Sequence, residues 1–564
     1  EATSFYSKPI FYLYSMDISG IQDFIYTITS KGALKGLRSR SFYLEIMMEH
    51  LIDSLLEKLF LSRVNLIYSG GGHAYILLPN TEKVRKIVGD FEQEVNEWFL
   101  EMFETQLYIA GGGAVCSASD FWNEPEGSYR EIFQNISKEI SFKKLHRYSP
   151  KQVIKLNHSG MPDGERECSI CHRHDYLKDG ETECEICWTL KQMSGNILKG
   201  DFFTVTSKKE KTCLPLPGNC YLVTDTESTL RKRMKEDNYY IRSYSKNKPY
   251  SGYYVSTKLW VGDYVNGETF EELGQRATGI ERIAVMRADV DNLGQAFVRG
   301  FENEKNGSKY VTLSRTATFS RKLSMFFKYH INSLLKEGGY SILEEEAQME
   351  KEDDRRNALI VYSGGDDIFI VGAWDDIIGF AVDLHDNLME YSQDTLKISA
   401  GIGIYPSKYP ISIMARETGR LEEAAKSVEG KNAVALFDEK YTFPWEEFIE
   451  NVVEEKLYFI QKYFKVVDEK GKNFLYNLLE LVRKRKEDKI NIARFAYLLG
   501  RMEPKVQRGE KKEEIEEKRD LHREFSRKMY EWIRVEKDAK ELEMAIYLYV
   551  YTKREKEEHD GVNE

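Results

Sequence analysis

The chain has 564 residues, of which 41% are hydrophobic and 13% aromatic. This apolar content excludes a disordered protein, and the length exceeds what one hydrophobic core usually organises, so we expect several domains. The 81 Lys and Arg are outnumbered by 92 Asp and Glu, and the net charge of −11 excludes a uniformly basic nucleic-acid-binding coat. No secretory leader and no apolar run of about 18 residues is visible, which predicts a cytoplasmic protein.

Two stretches of the chain repeat the same order of elements. The first begins with an apolar strand that ends at Asp17, and the second with a similar strand that ends at Asp289. In both, a long helix, a hairpin with a glycine-rich tip, a second helix and a glycine-containing strand follow. This order predicts two ferredoxin-like α+β domains.

We divide the chain into four domains. Residues 1–155 and 277–442 hold the two repeats, and residues 156–276 form a linker domain that carries four closely spaced cysteines. Residues 443–564 show apolar side chains at helical spacing and predict a helical bundle. Its Lys and Glu runs indicate solvated helix faces, with a partner or nucleic-acid surface as the alternative. We expect removal of the bundle to spare the chemistry of the second repeat.

The hairpin tip of the second repeat, Gly-Gly-Asp-Asp at 364–367, combines a tight turn with two carboxylates. The glycines predict positive φ and a backbone that a phosphate can approach closely. The neighbouring strand should bring further carboxylates to the same place. So many carboxylates repel one another unless divalent cations lie between them, which predicts an Mg²⁺ or Mn²⁺ site of Asp289, Asp291, Asp366 and Asp367.

A plain turn is the alternative, since Gly and Asp are preferred turn residues. The first repeat argues against it, because it keeps Tyr-Ser-Gly-Gly at 68–71 but has Gly72 and His73 in place of the two aspartates. A turn therefore does not need the carboxylates. For His73 itself, a turn role or a contact to a bound nucleotide is favoured over metal ligation.

A helix ending at Gly430 and a final strand close the second repeat. Lys426, near the end of that helix, has two interpretations: a cation that suits the helix dipole, or a side chain that reaches a triphosphate. Lys431 is a weaker candidate for the second role.

Four of the seven cysteines form two Cys-x-x-Cys pairs with twelve residues between them: Cys168, Cys171, Cys184 and Cys187. Such pairs can surround a tetrahedral Zn²⁺ and are typical of a structural zinc site in a reducing compartment. A redox role or simple burial is the alternative.

The second repeat resembles the palm domain of the nucleotide cyclases, a fold shared with the GGDEF diguanylate cyclases. The resemblance rests on two segments: the hairpin at 364–367 and the Ala-Lys…Gly-x-Asn segment at 425–432. The second has one residue more between Lys and Gly than the cyclase pattern. The paired palms, the four-cysteine linker and the terminal bundle together resemble the large subunit of type III CRISPR-Cas effectors, most closely the type III-A (Csm) form.

This resemblance implies that ATP is converted into cyclic oligoadenylates when target RNA binds the assembled effector. Asp289, Asp366 and Asp367 would be catalytic, and backbone amides over 290–294 would hold phosphates. The nucleotide-binding residues would be Ser363, Gly364, Gly365, Asn292, Lys426 and Lys431 of the second palm, with Gly70, Gly71 and His73 of the first. The implied partners are the other Csm subunits, guide RNA and target RNA.

Full-length members of this family usually carry an HD nuclease domain ahead of the first palm, whereas the first strand here begins at Phe11. We therefore expect this chain to lack HD-type DNase activity. Two other functions stay open: a non-catalytic RNA-binding scaffold, and a cyclase with another product, such as cyclic di-GMP.

Overall fold

The structure is a computed structural model. It describes residues 5–554 apart from 29–32, 159–166, 174–176, 251–253, 303–304, 306, 346–347, 349–354, 468–472, 486–487, 489 and 505–511. None of the described helices is long and apolar enough to cross a membrane.

The first palm has the predicted order of elements. These are β1 (Phe11–Ser19), α1 (Ile21–Tyr26), α2 (Ala33–Lys58), β2 (Leu66–Gly70), β3 (His73–Pro79), α3 (Glu82–Phe103), β4 (Tyr108–Cys116), α4 (Ser128–Leu145) and α5 (Pro150–His158). The strands pair antiparallel in the order β2-β3-β1-β4, which is the ferredoxin-like arrangement.

The linker domain contains a sheet that the sequence analysis did not predict. Its elements are α6 (Glu185–Lys199), β5 (Phe202–Thr206), β6 (Leu214–Leu216), β7 (Cys220–Asp225), α7 (Glu227–Glu236), β8 (Tyr240–Lys246), β9 (Thr257–Leu259) and α8 (Phe270–Gln275). The five strands lie in the order β6-β7-β5-β8-β9. These strands are only three to seven residues long, so a two-residue alternation has too few positions to stand out in the sequence.

The second palm repeats the first and extends its sheet. Its elements are β10 (Ile283–Val290), α9 (Leu293–Arg299), α10 (Leu313–Met325), a π-helical turn (Phe326–His330), α11 (Ile331–Glu337), β11 (Ala358–Ser363), β12 (Asp367–Ala373), α12 (Trp374–Ser392), β13 (Ile398–Tyr405), α13 (Ile411–Lys426), β14 (Ala433–Leu436) and β15 (Thr442–Pro444). The order is β11-β12-β10-β13-β14-β15. Helix α13 ends at Lys426 rather than at Gly430, because a short turn separates it from β14.

The C-terminal segment is helical, as predicted. It comprises a π-helical stretch (Glu447–Leu457), α14 (Tyr458–Val466), α15 (Asn473–Lys484), α16 (Ile490–Gly500), α17 (Lys512–Arg534) and α18 (Glu536–Lys553). These helices share one hydrophobic core with the second palm. Trp445 at the junction is fully buried, and its indole N–H donates to the Ile398 carbonyl at 2.8 Å.

The second palm's sheet is covered on both faces. Along β10, Ile283 and Val285 face a core shared with the first palm and the linker, whereas Ala284 and Met286 face the core shared with the bundle. Helix α2 of the first palm packs against β11, and its residues are buried around most of its circumference. The two palms are thus packed together around α2.

Candidate active site

Strand pairing brings the predicted carboxylates together at one end of the second palm. In the antiparallel register, Asp289 at the end of β10 lies opposite Asp367, the first residue of β12. The Val290 N–H donates to the Asp366 carbonyl at 3.1 Å, which holds the hairpin tip against the end of β10. Asp289, Asp366 and Asp367 are therefore neighbours, as the topology predicts.

The hairpin tips of the two palms lie against each other. A Cβ on Gly365 would be 2.6 Å from the Tyr68 hydroxyl oxygen, and a Cβ on Gly70 would be 3.2 Å from the Cα of Gly365. A Cβ on Gly71 would be 3.4 Å from Oδ1 of Asp366. Glycine is needed here because two backbones approach closely. The acidic tip therefore faces the glycine tip of the other palm.

The predicted positive φ at Gly364 and Gly365 is wrong. Positive φ occurs in the first palm's turn, with values of 59° at Gly71 and 79° at Gly72. Asp366 takes the place of Gly72 in the second palm, and a side chain would be strained at such a φ, so that turn follows another path. Gly364 is required for a different reason, since a Cβ there would lie 2.6 Å from the Tyr362 hydroxyl oxygen.

Negative charge is in excess at the acidic tip. Burial raises the pKa of Asp366 and of Asp367, and repulsion from Asp289 and between the two hairpin carboxylates adds to this rise. The pKa of Asp289 is also raised, because burial outweighs the attraction of Lys426. Oδ1 of Asp367 is buried without a hydrogen-bond partner among the described residues. The donors are carboxylate oxygens, which suit Mg²⁺ or Mn²⁺, and a divalent cation would relieve this repulsion, although the three carboxylates do not all lie within 4.8 Å of one another in this structure.

Lys426 does not extend outward toward a triphosphate in this structure. Its Nζ lies 2.7 Å from Oδ2 of Asp289 and 2.6 Å from Oε1 of Glu422, one helical turn earlier on α13. Burial opposes its charge, but Glu422 and Asp289 together raise its pKa above the ordinary value. The lysine thus neutralises Asp289 from within the protein.

The first palm has a charge-balanced counterpart of this site. Asp17 lies opposite His73 in the register, and its Oδ2 is 2.7 Å from Nζ of Lys144 on α4. Nε2 of His73 is 2.8 Å from the Ser15 hydroxyl oxygen, and its Nδ1 is 3.4 Å from Asp17. Burial works against the Asp17 charge, but His73 and Lys144 lower its pKa. This palm therefore has no uncompensated carboxylate cluster at the corresponding point.

Two other predicted ligands make structural contacts here. Both carboxylate oxygens of Asp291 are 2.9 Å from the Ser399 hydroxyl, and one also accepts the Asn432 N–H. Ser363 donates its hydroxyl to the Phe327 carbonyl. Both side chains are buried, so in this structure they are turned to the fold rather than to the open site.

The start of α9 retains part of its predicted phosphate-binding backbone. The N–H of Val290 is already bonded to Asp366, and that of Asp291 to Lys397, so these two amides do not point to a ligand. The backbone of residues 292–294 remains as the candidate phosphate-binding part of this segment. Nζ of Lys431 lies beside it, 2.9 Å from Oδ1 of Asn292.

The four cysteines converge as predicted. Their sulfurs lie within 4.8 Å of one another, and among the described residues this is the one place where three or more potential metal-ligating side chains do so. Backbone N–H groups of Cys184 and Cys187 donate to Cys168 and Cys184 sulfurs. Buried Arg40 of α2 also donates to Sγ of Cys187 at 2.8 Å. Four thiolates and a nearby guanidinium fit a tetrahedral Zn²⁺ site.

Several side chains of the site were missed from the sequence. Arg40 and Lys144 lie in helices with no motif of their own, and only an alignment of the two palms extended to α4 could have indicated Lys144. Tyr68 and Tyr362 stand at the same position before the glycine tip of their own repeat, and this repetition could have indicated that both belong to the site. Burial, with the nearby Asp366 and Asp367, raises the pKa of both tyrosines.

Fold and site together define a class: a protein of two ferredoxin-like palms, in which one palm carries a Gly-Gly-Asp-Asp hairpin. The profile of the Csm1 subunit domain B matches residues 10–159. That of the Cas10/Cmr2 second palm domain matches 282–435, and that of the second helical domain of the CRISPR RNA silencing complex Cmr2 subunit matches 461–555.

Curated relatives match nearly the whole chain in sequence. The subtype III-A Cas10/Csm1 single-strand-specific deoxyribonuclease of Mycobacterium tuberculosis is 45% identical over 98% of this chain and 68% of its own length. The Enterococcus italicus protein of the same name is 41% identical over 98% of the chain and 68% of its own. The chain belongs to the Cas10/Csm1 family of subtype III-A CRISPR systems, as the large subunit.

Solved structures agree on the fold. A Csm1-Csm4 subcomplex of the type III-A interference complex matches with a TM-score of 0.70 and 25% identity, covering 98% of this chain and 71% of that one. A Csm1-Csm4 cassette in complex with cA4 matches with a TM-score of 0.70 and 23% identity, covering 97% and 71%.

Proposed function

We propose that this chain is a metal-dependent nucleotidyltransferase that converts ATP into cyclic oligoadenylates when target RNA binds the assembled effector, as part of antiviral defence. The observation that carries the proposal is the cluster of Asp289, Asp366 and Asp367 between the two hairpin tips. The other palm replaces the two hairpin acids by Gly72 and His73, so the fold does not require them.

Asp289, Asp366 and Asp367 would hold Mg²⁺ or Mn²⁺. When bound, the metal would activate a ribose hydroxyl of one ATP to attack the α-phosphate of another, with pyrophosphate leaving. Lys426 is held over Asp289 and can turn to a phosphate once Asp289 is otherwise engaged. Lys431 and Asn292 lie together at the start of α9, where they would contact phosphate oxygens.

The glycine tip of the first palm would accept the second nucleotide. Gly70 and Gly71 place no side chain at this tip, and His73 is oriented by Ser15 and Asp17. Solved relatives in complex with AMPPNP and with one ATP support nucleotide binding by this fold. Gly364 and Gly365 would complete the cleft from the other side.

The four cysteines would hold a structural Zn²⁺, and four adjacent thiols favour a cytoplasmic location. We further propose that the chain assembles with the other Csm subunits, guide RNA and target RNA. The Csm1-Csm4 cassettes among the solved structures support the first of these partners.

The test is to incubate the chain, alone and assembled with its Csm subunits, guide RNA and target RNA, with each labelled NTP and Mg²⁺ or Mn²⁺. We expect ATP to give cyclic oligoadenylates, and Asp366→Ala with Asp367→Ala to abolish them. Asp438→Ala with Glu439→Ala removes an adjacent exposed acidic pair from the same palm and should leave the activity intact. No product from any NTP would favour a scaffold, and a GTP product would favour another cyclase.

A further inference from the structure

A chain of ion pairs runs through the second palm to the acidic tip. Nε of Arg287, two residues before Asp289 on β10, lies 3.0 Å from Oε2 of Glu422. The other oxygen of Glu422 is 2.6 Å from Nζ of Lys426, which in turn is 2.7 Å from Asp289. The Glu422 side chain is 7% exposed. A buried carboxylate is costly unless it is paired, so its place between two cations requires explanation.

The first palm provides an internal control for this pair. Ser15 lies opposite Gly112 in its sheet, as Arg287 lies opposite Gly401 in the other. A Cβ on Gly112 would contact Ile140, whereas a Cβ on Gly401 would contact the backbone of Glu422.

Ser15 therefore corresponds to Arg287, Ile140 to Glu422, and Lys144 to Lys426. The buried pair of Arg287 and Glu422 is present only in the palm that carries the acidic hairpin, so the shared fold does not need it.

Competition between Lys426 and a metal ion for Asp289 explains why the pair of Arg287 and Glu422 is present. The Lys426 ammonium and a metal ion would both bind the Asp289 carboxylate, and like charges exclude each other at such distances. Lys144, which has an isoleucine where Lys426 has a glutamate, stays with Asp17, whose pKa is lowered accordingly. Glu422 offers Lys426 a second anchor, and Arg287 keeps Glu422 in place for it.

We propose that Glu422, held by Arg287, is a positioning residue: it retains Lys426 when Asp289 binds a metal ion, so that the ammonium stays above the site to meet a phosphate. This rests on the proposed function, because it assumes a metal at Asp289. Without Glu422, Lys426 would be left paired with Asp289 alone. Its positive charge would then compete with the metal ion for the Asp289 carboxylate and weaken metal binding.

The experiment measures Mn²⁺ binding to the full chain by the loss of the free Mn²⁺ signal in electron paramagnetic resonance, without nucleotide. Glu422→Gln keeps the size of the side chain and removes its charge. We expect its dissociation constant for Mn²⁺ to rise about fivefold, the effect of one ion pair. Glu422→Asp keeps the charge and should bind Mn²⁺ nearly as the original chain does, which also controls for folding.

The same substitution in a Lys426→Met background separates positioning from simple charge. If Glu422 acts through Lys426, Glu422→Gln should change Mn²⁺ binding little once the lysine is absent. An equal loss in both backgrounds would overturn the proposal, because Glu422 would then attract the metal directly. Unchanged Mn²⁺ binding in the single Glu422→Gln variant would also overturn the proposal.

Failure of the proposed function would be seen separately. Asp366→Asn with Asp367→Asn should abolish Mn²⁺ binding at this site; if binding persists, the metal site itself is misplaced. If that binding is lost while Glu422→Gln has no effect, only the positioning role of Glu422 fails.

Discussion

At the scale of single residues, the two palms differ most in how their carboxylates are compensated. Asp17 is paired with Lys144 and His73, and its pKa is lowered. Asp366 and Asp367 are buried beside each other, and their pKa values are raised. The acidic pair therefore destabilises the folded chain at neutral pH, whereas Asp17 stabilises it.

We expect Asp366→Asn with Asp367→Asn to raise the melting temperature in buffer without Mg²⁺ or Mn²⁺, by roughly 2–4 °C. Because the folded-state pKa values are raised, the acids oppose folding as the pH rises above the ordinary carboxylate range. The gain should thus be small near pH 4 and larger near neutral pH. Differential scanning calorimetry at several pH values checks this, and a gain that does not depend on pH would contradict the charge argument.

Asp17→Asn is the matched control in the first palm. Its pKa is lowered, so its stabilising contribution is present above the pKa of the unfolded chain and is lost as the pH falls through the folded value. This variant should therefore lower the melting temperature at neutral pH, opposite in sign to the acidic pair.

At the scale of elements, the cysteine cluster joins the linker domain to the first palm. Arg40 of α2 reaches Cys187, and Arg173 donates to the Met102 carbonyl and, at 2.7 Å, to the Glu101 carbonyl at the end of α3. Metal binding would therefore order more than the loops that carry the cysteines, because α2 contacts the cluster itself and α3 contacts Arg173, two residues after Cys171.

Cys168→Ser with Cys171→Ser should lower the melting temperature by several degrees, because zinc-binding energy contributes directly to folding. Metal analysis should give one zinc ion per chain for the original protein and none for the variant. Cys213→Ser with Cys220→Ser removes two thiols from the same domain outside the cluster and should retain the zinc. Original protein that was produced under reducing conditions and contains no zinc would contradict the assignment.

At the scale of the whole molecule, the acidic site depends on how the palms pack against each other. The glycine tips meet, α2 covers one face of the second palm's sheet, and Lys328 is paired with Glu45 of α2. On the other face, the bundle shares the palm's core through Trp445. Removal of the bundle would expose that core to water, which argues against the expectation that the chemistry of the palm would be spared.

Gly365→Ala tests the packing between the palms. Its Cβ would lie 2.6 Å from the Tyr68 hydroxyl oxygen, so the buried Tyr68 ring or the hairpin tip must shift, at a cost of about 1–3 kcal/mol in stability. ATP turnover should fall as well. Tyr68→Phe removes that oxygen and should restore part of both in the double variant. Gly89→Ala in the interior of α3, with open space at its Cβ, should leave turnover unchanged and stabilise the helix slightly. Thermal melts and turnover assays would show no such rescue if the tips do not touch.

The sequence by itself determined the duplication, the order of elements, the acidic hairpin and the four-cysteine cluster. Each of these is a local pattern: alternation of apolar residues marks a strand, a glycine-rich break marks a hairpin, and cysteine spacing marks a ligand set. Antiparallel pairing within one palm then placed Asp289 beside Asp367, because the ferredoxin-like topology leaves few other registers.

The tertiary structure alone decided the contacts between segments that are distant in the chain. These contacts follow from how two sheets and a shared helix pack, and no local sequence pattern predicts them. They are the contacts of Tyr68 with Gly365, of Arg40 with Cys187, and of Glu422 with both Arg287 and Lys426. The tertiary structure also showed that Gly364 does not take the expected positive φ and that its Cβ position is instead occupied by the Tyr362 hydroxyl. Side-chain volume and buried charge, balanced across the whole interface, set these contacts.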